Sequence, residues 1–136
     1  MTTYETILSR YRVEVPEHLA AQATIPVLAG LQRQGDILIR PIDRPAGGTP
    51  VSAEGVQVVR GEATGNTHWL SADGLCLWAP TTPTADGLAV GVLTVTDGAV
   101  GWLIHTDEHG ANGVAPGVYE LRRQREQADE ARLVAD

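Results

Sequence analysis

Residues 88–105 have the sequence LAVGVLTVTDGAVGWLIH, in which two apolar runs flank the dipeptide Asp97-Gly98. Runs rich in Val, Leu, Ile, Thr and Trp are typical of β-strands. An Asp-Gly pair between two such runs is a strong signal for a tight hairpin, because its turn needs residues that tolerate positive φ. We therefore predict strands over Leu88–Thr96 and Ala99–His105, joined as a hairpin.

The same pattern occurs once more, nearer the N-terminus. Asp73-Gly74 separates residues 67–71 from residues 75–78, which predicts a second hairpin. Short alternating runs predict three further strands, at Ile37–Arg40, Val56–Arg60 and Val118–Arg123. Many short strands with tight turns and no helix between them favour a mainly β fold, here a small antiparallel β-barrel or sandwich.

The first 35 residues have a different pattern, and we expect them to form a helical N-terminal extension. Apolar residues at a spacing of three and four predict a helix within residues 3–12. Prolines that suit a first helical turn predict two more, over residues 17–23 and 26–32. Residues 36–136 would then be the β-rich domain, ending in a short helix or tail.

Charge and composition exclude several classes of function. The net charge is −7, all ten basic residues are arginine, and no basic residue lies between Arg60 and Arg122. A surface of that sign repels phosphate backbones, so nucleic acid is not an expected partner of the β-rich half. The chain has one cysteine, Cys76, and no apolar run long enough for a membrane span. Residues 1–12 are polar and carry Glu5, so they show no signal-peptide pattern, and we expect a cytoplasmic location.

Histidines and carboxylates cluster at the ends of the predicted strands, where ligand-binding groups often lie. The candidate ligand-binding residues are Glu62, His68, His105, Glu108 and His109. Neutral imidazole is a ligand of zinc, nickel, iron and copper, so His68, His105 and His109 form a candidate site for a divalent metal. Their spacing matches no established metal motif, and loop histidines beside acidic groups are the alternative interpretation.

Parts of the β-rich half resemble a known family. The resemblance rests on Gly61–Gly65 with His68, on His105 with Glu108-His109, and on Pro116–Tyr119 and Arg123–Glu126. The chain resembles a family of small uncharacterised bacterial proteins that share GEATGHxH and RQRE stretches. The resemblance covers about residues 36–136. This chain has Asn66 where that pattern has its first histidine. The resemblance implies an uncharacterised family and indicates where a site would lie, without implying an activity.

Three functional hypotheses follow from the sequence. The first is a binding or accessory module whose site is edged by the five candidate residues. The second is a cupin-like metal-dependent enzyme, in which His68, His105 and His109 hold the metal and Glu62 or Glu108 moves protons. The third is an assembly protein that contacts a protein partner or a second copy of itself through the apolar residues 25–31.

Overall fold

A computed structural model describes residues 2–10, 24–60, 67–81, 88–105 and 110–123, with the side chains of Val59 and Arg60 left aside. These residues form one short helix and eleven strands. The elements are α1 Tyr4–Arg10, β1 Val27–Leu28, β2 Gln32–Gln34, β3 Ile37–Pro41, β4 Thr49–Pro50, β5 Val56–Arg60, β6 Thr67–Asp73, β7 Cys76–Pro80, β8 Ala89–Val95, β9 Val100–His105, β10 Ala111–Val114 and β11 Gly117–Arg123.

The strands form two sheets that face each other as a sandwich. The five-stranded sheet has the order β1-β10-β9-β6-β5, and the six-stranded sheet has the order β2-β3-β11-β8-β7-β4. Neighbouring strands are antiparallel, except that β1 pairs in parallel with β10. The prediction of a mainly β sandwich is confirmed. The barrel alternative is wrong, because among the described residues neither sheet closes on itself.

The Asp-Gly dipeptides of the two predicted hairpins lie at corners between the sheets, so both of these predictions are wrong. β6 pairs with β9 and β7 pairs with β8, which puts Asp73-Gly74 and Asp97-Gly98 on the connections from one sheet to the other. Gly74 and Gly98 have φ of 86° and 82°. Both glycines therefore have the positive φ expected of a hairpin turn, but here the chain uses it to pass from one sheet to the other.

The predicted helix over residues 26–32 is also wrong. Val27–Leu28 is an edge strand of the five-stranded sheet, and Gln32–Gln34 pairs with Ile37–Ile39 in the six-stranded sheet. The turn between these paired strands is Gly35-Asp36, with Gly35 at φ 58°. The boundary that the sequence predicts between residues 35 and 36 thus falls inside this turn.

Other predictions of secondary structure are confirmed. α1 lies within the predicted first helix, and β3, β5 and β11 match three predicted strands. The predicted helix over residues 17–23 and the predicted C-terminal helix or tail lie outside the described residues.

Alternation along the strands produces two apolar clusters. Leu70 of β6 and Leu103 of β9 belong to the core between the sheets, where they pack with residues such as Ile37 and Leu121. The opposite face of the five-stranded sheet carries Trp69, Trp102 and Ile104, which pack with the buried Ile7 and Leu8 of α1. The helix therefore covers the outer face of this sheet.

Candidate functional site

Two of the predicted site residues, His68 and His105, lie side by side at the end of the five-stranded sheet. They are direct partners in the pairing of β6 with β9. Their ring centroids are 4.4 Å apart, with the ring planes tilted by 38°. The side chains are buried, at 3% and 4% exposure. They share the strand face of Leu70 and Leu103, so they point between the two sheets.

Three amide side chains extend the polar character of this region. Gln32 and Gln34 pair with Ile39 and Ile37, and this places both glutamines on the inner face of the six-stranded sheet. Asn112 of β10 lies two residues before Val114, a member of the inter-sheet core. We call the five residues Gln32, Gln34, His68, His105 and Asn112 the polar end of the core.

Hydrogen bonds connect four of these five side chains in one chain. Gln32 Nε2 donates to the carbonyl oxygen of Gly113 at 2.8 Å, and Asn112 Nδ2 donates to Gln32 Oε1 at 3.2 Å. Gln34 Nε2 donates to Asn112 Oδ1 at 3.0 Å and to the carbonyl oxygen of Leu103 at 2.7 Å. Gln34 Oε1 lies 2.9 Å from His68 Nδ1. This last bond crosses the sandwich from one sheet to the other.

The direction of this hydrogen-bond chain is fixed by backbone groups. The carbonyl oxygens of Gly113, Arg33 and Leu103 accept from Gln32, Asn112 and Gln34, respectively. Turning any of these amides over would place its oxygen against a carbonyl oxygen, which is repulsive. Gln34 must therefore present its oxygen to His68, and His68 must donate from Nδ1. Neutral His68 consequently carries its lone pair on Nε2.

Asp36 provides a carboxylate close to that nitrogen. It lies in the turn between β2 and β3, and its Oδ1 is 3.6 Å from His68 Nε2. Its side chain is 56% exposed, whereas that of His68 is 4% exposed. The pair therefore joins the buried network to the surface of the molecule.

The other three predicted site residues, Glu62, Glu108 and His109, lie outside the described residues. The residues that flank these segments lie next to the histidine pair. Arg60 pairs with Thr67, and the backbone nitrogen of His105 donates to the carbonyl oxygen of Gly110 at 2.8 Å. Segments 61–66 and 106–109 thus each begin and end at the sheet end that carries the histidine pair.

No group of three or more His, Cys, Asp or Glu side chains in the described part of the chain is arranged to hold a metal ion. The predicted set includes His109, which is outside that part, so the metal site stays a prediction. What the described residues do provide is an imidazole whose Nδ1 donates to Gln34, beside the carboxylate of Asp36. Such a pair can accept hydrogen bonds, accept a proton or bind a cation.

A small cavity adjoins the far end of the amide chain. It has a volume of about 210 Å³ and is lined by Tyr4, Pro26, Leu28, Gln32, Ala111 and Asn112. Both amide hydrogens of Gln32 are directed to backbone oxygens, at Gly113 and Leu28. The amide group of Gln32 therefore has no hydrogen left to donate into this cavity, and the histidine pair is the better candidate for a ligand site.

Sequence reasoning missed Gln32, Gln34, Asp36 and Asn112. The signal for the first three was the order Gln32-Arg33-Gln34-Gly35-Asp36 followed by the alternating strand Ile37–Arg40. Gly-Asp between alternating runs predicts a two-residue hairpin, with both glutamines on the face of Ile37 and Ile39. The helix predicted over residues 26–32 concealed it. Nothing in the local sequence distinguishes Asn112.

Within the described residues, no helix is long and apolar enough to cross a membrane.

The fold and site define an open two-sheet β-sandwich with a paired-histidine polar end to its core. The chain belongs to the family described as "Domain of unknown function (DUF8820)", whose model matches residues 33–124. The match contains Gln34, Asp36, His68, His105 and Asn112, and it leaves out α1. It agrees with the predicted membership of an uncharacterised family. No curated protein and no solved structure matches the chain.

Proposed function

We propose that this protein is a binding module whose ligand site lies around His68 and His105. The observation that carries the proposal is the pairing of two buried imidazoles at the ends of adjacent strands, one of them held in a single tautomer by Gln34. Polar groups that converge at one edge of an otherwise apolar core are typical of ligand sites.

The polarity of this region supports a functional role over a structural one. Apolar side chains at Gln34, His68 and Asn112 would fill the same space without the cost of removing polar groups from water. The rest of the inter-sheet core follows that simpler pattern. Local departures from the packing pattern of a fold tend to occur at functional sites.

The charge near the site also supports a ligand with positive character. Glu62, Glu108 and His109 belong to the segments that start and end beside the histidine pair, and we propose them as further ligand-binding residues. Glu62 and Glu108 belong to the stretch between Arg60 and Arg122 that has no basic residue, and Asp36 adds a carboxylate beside His68. Such a surface concentrates cations and basic groups.

A ligand screen by NMR tests the proposal. The full chain, with ¹³C-labelled histidine rings, would be titrated with a fixed library of small amines, guanidines, imidazoles and carboxylic acids. We expect the ring signals of His68 and His105 to move first and together. Replacing His105→Gln should weaken the best binder at least about tenfold, a loss of about 1.4 kcal/mol.

A variant in the same strand provides the control. Ser71 is buried in β6 three residues beyond His68, and Ser71→Ala should leave the affinity unchanged. The proposal is contradicted if the perturbed residues instead line the cavity formed by Arg10, Ala53, Glu54, Ser71 and Ala72.

A cupin-like metal-dependent enzyme is a second candidate function. It is favoured by the hydrogen bond from His68 Nδ1 to Gln34, because metal-binding histidines usually donate their other ring nitrogen to a fixed acceptor. His68, His105 and His109 would hold a divalent metal in this proposal. Elemental analysis of wild type and His105→Ala tests it. Stoichiometric metal that the variant loses supports it, and equal metal content in both proteins contradicts it.

Assembly through residues 25–31 is a third candidate. Ile25 is buried under α1, but Val27, Leu28 and Leu31 are 41%, 49% and 62% exposed beside an edge strand. Exposed apolar side chains at a sheet edge favour contact with a protein partner or a second copy. Sedimentation velocity of wild type and Leu28→Gln tests self-association. A concentration-dependent dimer that the variant loses supports it, and a monomer throughout contradicts it.

A further inference from the structure

We infer that a second ligand site lies at the edge of the five-stranded sheet, beside the end of α1, and that it takes a small zwitterion of the amino-acid or dipeptide class. The site is the cavity of about 560 Å³ that is lined by Arg10, Ala53, Glu54, Ser71 and Ala72. None of these residues belongs to the polar end of the core, so the inference does not depend on the proposed function.

The cavity lies where β6 continues past the strand beside it. β5 begins at Val56, which pairs with Leu70, and β6 extends for three residues beyond that pair. From Ser71 onward β6 is therefore paired with β9 but not with β5. The turn before β5 forms the other wall of the cavity. It is closed by hydrogen bonds from Gly55 N to the carbonyl oxygen of Ser52 and from Ser52 Oγ to the carbonyl oxygen of Gly55.

Ser71 has a buried hydroxyl group that makes no hydrogen bond in the described part of the chain. The residue is 5% exposed, and alternation along β6 puts its side chain on the same face as that of Asp73. Asp73 binds Arg10 on this face, so the hydroxyl lies on the side of the sheet where Arg10 lines the cavity. Buried polar groups nearly always have a partner. The hydroxyl of Ser71 therefore points to a polar group of a ligand.

Arg10 and Glu54 give the cavity two charges of opposite sign that are not paired with each other. Arg10 Nη1 donates to Asp73 Oδ1 at 3.3 Å, and Asp73 Oδ2 accepts from Trp102 Nε1 at 2.9 Å. The buried indole thus positions the carboxylate, and the carboxylate positions a guanidinium group that has further N–H donors for a ligand. Glu54 has no ion pair within the described residues.

A zwitterion matches this arrangement better than an ion of either sign. A carboxylate group can accept from Arg10 and from the hydroxyl of Ser71, and an ammonium group can donate to Glu54. An anion alone would be repelled by Glu54, and a cation alone would be repelled by Arg10. The small side chains of Ala53 and Ala72 leave room for the rest of the ligand. The volume of the cavity is within the range of about 300–1,000 Å³ that is typical of small-molecule sites.

An NMR titration of the full chain tests the inference, with the natural L-amino acids and alanyl-alanine as the probes. The backbone ¹H–¹⁵N signals of Ser71 and Ala72 should move with the best probe, while the histidine ring signals stay in place. Glu54→Gln should raise the Kd of that probe at least about tenfold, because it removes a charge-assisted hydrogen bond. The N-acetylated form of the same probe has no ammonium group, so it should lose no affinity on Glu54→Gln.

Arg10→Gln should also raise the Kd at least about tenfold. Arg44→Gln is its matched control, because Arg44 is an exposed arginine in the connection between β3 and β4, and it should leave the Kd unchanged. Glu54 is exposed, so its variant keeps the test valid if Arg10→Gln loosens α1.

Two results would overturn the inference: no probe moves the signals of Ser71 and Ala72, or Glu54→Gln binds the best probe with the wild-type Kd. A loss of affinity for the N-acetylated probe as large as that for the free one would do the same, since it would show that Glu54 does not bind the ammonium group. The histidine ring signals report on the other site, so either site can fail without the other.

Discussion

Gln34 and His68 lie in different sheets of the sandwich, and a 2.9 Å hydrogen bond between Oε1 and Nδ1 joins them across the core. The same glutamine donates both amide hydrogens, one to the carbonyl oxygen of Leu103 and one to Asn112 Oδ1. Its three bonds therefore connect β2, β6, β9 and β10 at a single point. His68 and Leu103 are buried and Asn112 is partly buried, so removing the Gln34 amide would take away bonds that water does not readily replace.

We predict that Gln34→Met destabilises the protein by about 3 kcal/mol. Methionine has a similar volume but leaves the oxygens of Leu103 and Asn112 and the Nδ1 hydrogen of His68 without their bonds to Gln34. Urea denaturation monitored by tryptophan fluorescence measures the free energy of unfolding. We also expect a larger share of the other neutral tautomer of His68, which ¹⁵N chemical shifts of the ring report.

Gln57→Met is the control for this change. Gln57 is an exposed glutamine on β5, so the same substitution should alter the free energy of unfolding by no more than about 0.5 kcal/mol. A wild-type protein whose neutral His68 carries its hydrogen on Nε2 would show that the amide orientation is different from the one we infer.

Alternation in the sequence is sufficient to predict which face of each strand is buried, but not which strand lies beside it. The residues around Asp97-Gly98 illustrate this limit. A side-chain period of two is the same in a hairpin and in two strands of opposite sheets. A left-handed glycine likewise suits a tight hairpin and a corner between sheets, so the local signal does not separate the two.

The residues of the candidate site likewise divide into those that the sequence could predict and those that it could not. His68 and His105 could be predicted because both are histidines at the ends of strong apolar runs, and they do meet. Asn112 could not, since its role depends on contacts with β2, about 80 residues earlier. The run after Pro26 has both helical and strand character, and its extended form depends on pairing with β10, a distant strand. Tertiary contacts of this kind override local propensity.

The close contact between Gly91 and Trp78 leads to a second prediction. A Cβ atom at Gly91 would lie 2.5 Å from Trp78 Cη2 and 2.7 Å from the carbonyl oxygen of Ala79. Trp78 is part of the core between the sheets, so its ring has little room to move. We expect Gly91→Ala to lower the free energy of unfolding by about 3 kcal/mol, as overpacked cores do.

Gly30→Ala separates this clash from the general effect of replacing a glycine. Apart from the adjacent residues, no described residue has an atom within 4 Å of a Cβ built at Gly30. We therefore expect a change between zero and about 0.5 kcal/mol in favour of the folded state. Thermal or urea unfolding of both variants makes the comparison. A loss below about 1 kcal/mol for Gly91→Ala would mean that the indole ring moves aside easily.

The third prediction concerns Cys76, which is 1% exposed in the inter-sheet core. Burial, with a smaller contribution from the charge of Asp73, raises the pKa of its thiol from an ordinary 9.0 to about 11. The folded state therefore favours the protonated thiol more than the unfolded state does. The resulting stabilisation is complete below pH 9 and is lost as the pH rises towards 11. At about 1.4 kcal/mol per unit, the two-unit shift amounts to about 3 kcal/mol, of which about 2 kcal/mol is lost by pH 11.

Comparing wild type with Cys76→Ala between pH 8 and pH 11 isolates this effect. Burial also raises the pKa of Tyr119, but that residue is present in both proteins and its contribution cancels. We expect the difference in the free energy of unfolding to shift by about 2 kcal/mol against wild type over this range. A difference that stays constant with pH would show that the thiolate is tolerated in the fold. In that case the native thiol should also react quickly with iodoacetamide at pH 8, whereas a buried neutral thiol reacts only on unfolding.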